Sequence, residues 1–164
     1  MSIAAWHATM IGNSIPTTTR MFDPTRDEVR RFFRDTLDKR RRGMPLTPIE
    51  ALASDWIERH PEYFDFLAPL PVGEPDPFET RDGEANPFLH LSMHLSIEEQ
   101  VSIDQPPGIR AAVGRLTARL GSAHDAHHEV MECLGEMLWT AQRNRTAPDG
   151  AAYLRCIEAR ATRQ

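Results

Sequence analysis

Apolar residues return every three or four positions in six stretches of the chain, and nowhere do they alternate with period two for long enough to make a strand. The first stretch opens at Asp23 and Pro24, carries Asp27 and Glu28 in its first turn, and shows a stripe of Val29, Phe32, Phe33, Thr36 and Leu37. Gly43 is placed to end it in a left-handed cap. The second starts at Thr47, with Pro48 at the first helical position and Glu50 completing a capping box. It puts Ile49, Leu52, Ala53, Trp56 and His60 on one face, and Pro61 breaks it ahead of a short helix in PEYFDFL. The third runs from the Asn86-Pro87 start through NPFLHLSMHLSIEEQ and is apolar around most of its circumference, as in a helix at the middle of a bundle.

A turn at Gln105-Pro106-Pro107 leads to the fourth, with Ile109, Val113, Leu116 and Leu120 at helical spacing and Gly121 as its stop. Ser122 opens the longest, to about Asn144, whose apolar face holds Ala123, Val130, Leu134, Met137, Leu138 and Ala141. The last begins at Asp149 and passes Tyr153, Leu154 and Ile157. The pattern predicts an all-α fold: a single-domain helical bundle of about five or six helices over residues 21–162. Residues 1–20 show no sustained period and no acidic residue, and read as a disordered extension without the build of a secretory signal. Residues 68–85, dense in proline and acidic side chains, read as a long acidic loop, a linker or a lid.

Composition changes this picture little. With 164 residues, 24 acidic against 19 basic side chains and a net charge of -5, the chain is sized for one domain and has no general attraction to nucleic acid. The basic run Lys39 to Arg42 closes a helix, where cations favour the dipole, and reads as a solvated terminus. No apolar run is long enough to span a membrane. Cys133 and Cys156 form no CxxC pair and read as reduced core residues of a cytoplasmic protein.

The candidate chemistry lies in two histidine pairs. His90 and His94 are one turn apart on the same face of the third helix, and His124 and His128 repeat that spacing on the fifth, followed by Glu132 and Glu136. The drift of about 40° per four residues lets His124, His128 and Glu132, but not all four, converge, and Gly135 beside His128 leaves room for a ligand or a close helix. Facing each other across a bundle, His90, His94, His124, His128 and Glu132 make a site suited to Fe, Mn, Zn or Ni. Neither the di-iron Glu-x-x-His pattern nor HExxH is present. The bland alternative is a hydrogen-bonded network of structural histidines. His127 is a reserve ligand, and His60 reads as a hydrogen-bonded residue at a helix end. Glu50 reads as a capping partner, Met93, Met131 and Met137 as packing, and Glu98 and Glu99 as solvent-facing.

The segments MFDPTRDEVRRFF, PLTPIEALASDWIERHPEY, NPFLHLSMHLSIEEQ and HHEVMECLGEMLW together resemble an uncharacterised bacterial family filed as a domain of unknown function, number eighteen-forty-one. The resemblance covers about residues 21–161. The family pattern matches Glu50, His60, Glu62, His90, His94, Glu99, Gln100, His124, His128 and Glu136, with an acidic residue at the position of Glu132. His127 and Glu98 lie outside it. Where the family often continues HPEYH, this chain has Phe64. The resemblance implies no activity.

The expectation is therefore a divalent-metal-binding helical protein, with a small metal-dependent oxidoreductase or hydrolase as its extension. Glu99 and Glu136 are candidates for a base, and a small molecule for the substrate. The rival is a non-catalytic adaptor using its acidic loop and helix faces. Haem held by a histidine pair is a third reading without motif support.

Overall fold

The computed structural model describes residues 25–68 and 86–163. Among them are six α-helices and no strand: α1 (Arg26–Arg41), α2 (Pro48–Glu58), α3 (Pro87–Ile103), α4 (Ile109–Leu120), α5 (Ala123–Asn144) and α6 (Gly150–Thr162), with a 3₁₀ turn at Pro61–Tyr63. The fold is all-α, as its periodicity predicts. The expected N-terminal extension and most of the acidic loop lie outside the described residues. No described helix is long and apolar enough to cross a membrane. Two compact units are present, one ending at Leu95 and the other beginning at Ser96, so α3 contributes to both.

In the first unit α1 packs on α2. The start of α1 falls at Thr25 rather than at Asp23. The Thr25 hydroxyl accepts from the Glu28 backbone N–H while the Glu28 carboxylate accepts from the Thr25 N–H. Thr47 and Glu50 make the same reciprocal box at α2, with Pro48 in the first turn. Glu50 does a second job: it takes a 2.5 Å ion pair from Lys39 of α1, joining the two helices. With those donors around it, the Lys39 ammonium first and the Thr47 N–H next, its carboxyl pKa falls to about 2. Gly43 adopts φ 65°, the left-handed conformation that ends α1 without a Cβ penalty.

The core of this unit is Val29, Phe33, Leu37, Ala53, Trp56, Ile57, Leu67, Phe88, Leu91 and Leu95. The buried stripe of α2 runs through Ala53, Trp56 and Ile57, and Leu52, expected inside, is exposed. The buried face therefore lies toward the Glu50 side of the helix, and Glu50 itself is buried. At the head of α3 the Asn86 side-chain oxygen accepts from the Phe88 and Leu89 N–H groups. Phe88, Leu91, Ser92, His94, Leu95, Ser96 and Ile97 are all buried, whereas Ser102 and Ile103 at the far end of α3 are exposed.

In the second unit α4, α5 and α6 each pack on the other two. Ile109, Ala112, Leu116, Ala126, Val130, Tyr153 and Ile157 are fully or almost fully buried. Ser122 caps α5 through the Asp125 N–H, and Asp149 caps α6 through the Ala151 and Ala152 N–H groups. Gly121 ends α4 at φ 70°. Arg115 pairs with Glu158, and Arg160 with Glu129 at 2.5 Å. Cys133 and Cys156 are joined in a disulfide that ties α5 to α6, correcting the expectation of two reduced core thiols. Spacing alone misled there: two cysteines on separate antiparallel-capable helices meet only once the helices are packed.

Candidate metal centre

Three imidazoles of the first unit converge. His90 Nε2 lies 3.0 Å from His60 Nε2, His94 Nε2 lies 3.3 Å from His60 Nε2, and His94 and His90 Nε2 are 3.2 Å apart. Each vertex of this triangle is set by local structure. His90 and His94 sit one turn apart on α3, which aligns their side chains on one face. His60 stands where α2 has ended and Pro61 forces the chain into the 3₁₀ turn.

The rings are held by their neighbours. His94 stacks on Trp56, centroids 3.8 Å apart and planes 11° from parallel. His60 stacks on Tyr63 at 5.4 Å and 4°, and His90 meets the Tyr63 edge at 5.5 Å. The outer face of Trp56 carries the Arg59 guanidinium at 4.9 Å. His60 and His94 are buried, and His90 is half-buried. Burial, reinforced by the nearby Glu62 charge, raises the Tyr63 hydroxyl pKa, so that group stays protonated at neutral pH.

His60 Nδ1 lies 2.8 Å from the Trp56 carbonyl oxygen. A carbonyl only accepts, so Nδ1 carries the proton and, in the neutral ring, Nε2 presents a lone pair to the triangle. A second nitrogen fixed on a backbone carbonyl is the usual support of a metal-ligating histidine. Hydrogen bonding alone cannot satisfy the three edges. The His60 vertex has no proton to give, and two protons directed at one another repel. A single cation satisfies three lone pairs at once. With metal–nitrogen bonds of about 2.0–2.1 Å, facial octahedral ligands stand about 2.9 Å apart and tetrahedral ones about 3.4 Å. The observed 3.0–3.3 Å falls between these limits. The arrangement could therefore hold a metal.

Of the residues singled out in the sequence, His90 and His94 are brought together. His60, read as a residue hydrogen-bonded at a helix end, is that and the third vertex as well. Its signal was available in Trp56 and His60 one turn apart before Pro61, and in the family pattern, which includes His60. Glu50 is the capping partner it was read to be.

The remaining candidates lie in the second unit. His124 and His128 are half-buried, with ring centroids 4.4 Å apart, while Glu132 and Glu136 are exposed and Glu99 is half-buried. Glu136 lies 3.8 Å from Arg160. His127, the reserve ligand, is buried and stands 3.8 Å from Glu98, which is only about one-third exposed rather than solvent-facing. No curated protein and no solved structure gives a significant match to the chain. Residues 25–159 match the family model described as a domain of unknown function, DUF1841, and the chain belongs to that family.

Proposed function

We propose that this protein binds a divalent transition metal through His60, His90 and His94. The observation that carries the reading is the 3.0–3.3 Å triangle of Nε2 atoms with His60 Nδ1 on a backbone carbonyl. An all-imidazole face favours Zn, Fe or Ni over the harder Mn. On the strength of sequence pattern alone, His128 is the fourth ligand we propose, with His124 and Glu132 behind it. Three histidine ligands leave positions for water or a small-molecule substrate, which suits a metal-dependent hydrolase or oxidoreductase. Glu99 and Glu136 are the bases proposed for that step. A cytoplasmic setting belongs to the proposal too, although the cysteines no longer argue for it. Thiol trapping in intact cells tests it.

The full chain, stripped of metal, is titrated with Zn, Fe(II), Ni and Mn while its melting temperature is followed. At a hundredfold excess over Kd, binding adds about 2.7 kcal/mol, a rise of about 6–10 °C at this chain length. Elemental analysis is expected to find one equivalent, lost in H60A, H90A and H94A. Variants H128A and H124A decide the further ligands by the same readout. Absence of any saturable stabilisation, or a stabilisation untouched in all three first-unit variants, would overturn the reading and leave the adaptor role.

A further inference from the structure

A cavity of about 190 Å³ opens in the second unit between α5, the connector 145–149 and α6, with Cys133, Glu136, Met137, Ala147, Tyr153 and Cys156 in its wall. Both cysteines of the disulfide belong to this wall. Cys133 is 1% exposed whereas Cys156 is half-buried, so a small reagent reaches the bond at Cys156.

We propose that this cavity admits a small thiol that exchanges with the Cys133–Cys156 disulfide. The thiolate sulfur attacks Cys156 Sγ and forms a new S–S bond. The bond to Cys133 breaks, and its electron pair leaves on Cys133 Sγ, which takes up the proton given up by the thiol. A second thiol molecule then displaces the first, leaving two protein thiols and one oxidised small disulfide. The charged side chains of the wall, Glu136 and Asp149, are both carboxylates, and Glu136 Oε2 lies 3.9 Å from Cys156 Sγ. They are partly balanced by Arg160, 3.8 Å from Glu136, and Arg155, 3.9 Å from Asp149. The site therefore prefers a neutral or cationic thiol to an acidic one.

The oxidised full chain is treated with cysteamine, 2-mercaptoethanol or mercaptoacetate, and mixed disulfide and free thiols are followed by mass spectrometry with alkylation. Corrected for thiolate fraction, cysteamine reacts fastest and mercaptoacetate slowest, and the first adduct sits on Cys156. A147F, at the exposed connector, narrows the cavity and slows cysteamine by about fivefold or more. A first adduct on Cys133, a fastest reaction with mercaptoacetate, or equal rates in wild type and A147F would overturn the proposal.

Discussion

Replacing Glu50 by glutamine separates two roles that one carboxylate performs. Gln retains the capping-box acceptor for the Thr47 N–H, 2.8 Å away, but loses the charge that Lys39 meets at 2.5 Å. The carboxyl pKa is lowered from 4.5 to about 2. A folded-state pKa below the unfolded one means stability that is present above the unfolded value and lost as pH falls toward the folded value. The full shift corresponds to a ceiling of about 3.4 kcal/mol at neutral pH. The Lys39 side chain is 35% exposed, so water screening reduces the expected cost of E50Q to about 1–2 kcal/mol. At pH 3 about two-fifths of the pH-dependent contribution remains, and the penalty shrinks in proportion. Urea unfolding of wild type and E50Q at pH 7, 5, 4 and 3 measures this difference, other carboxylates cancelling between the two proteins. The E50A variant loses the cap as well and adds about 0.5–1 kcal/mol at every pH. An E50Q penalty that is constant from pH 7 to pH 3 would refute the ion pair as its source.

Reducing the Cys133–Cys156 bond, whose partners are 23 residues apart, is expected to cost about 3 kcal/mol by loop-closure entropy, read from urea midpoints of C133S/C156S against the oxidised protein. S122A removes the acceptor for the Asp125 N–H at the head of α5 and costs about 1 kcal/mol in the same assay. H94F keeps an aromatic ring against Trp56 while deleting a ligand nitrogen, so the metal-induced rise in melting temperature disappears.

Local chemistry made most of this fold readable. Thr47-Pro48 with Glu50, Ser122, Asp149 and Gly121 each satisfy backbone groups within a few residues of themselves, so their role is written in the neighbouring sequence. Asp23 and Thr25 are both good caps by residue type, and the reciprocal bond with Glu28 makes Thr25 the cap. The His90–His94 pair was legible for the same reason, being one turn apart on one helix. His60 was only half legible: its hydrogen bond to the Trp56 carbonyl is local, but its approach to α3 crosses 30 residues. The disulfide was not legible at all, since nothing around Cys133 or Cys156 records which helix faces which. Leu52 shows the converse failure. Helical period placed it inside, but the buried face of α2 is centred on Ala53, Ile57 and Glu50, which leaves Leu52 41% exposed.

The indole lying parallel to the His94 ring gives the site its own optical gauge. Trp56 is 3% exposed and Trp139 is 59% exposed, so Trp56 supplies a blue component and Trp139 a red one, and a W6F background removes the third tryptophan, which lies outside the described residues. Whatever draws electron density from the His94 imidazole is felt by a fluorophore 3.8 Å away. If the proposed metal binds, the blue band is expected to dim, and occupancy can be followed in dilute solution with no label attached.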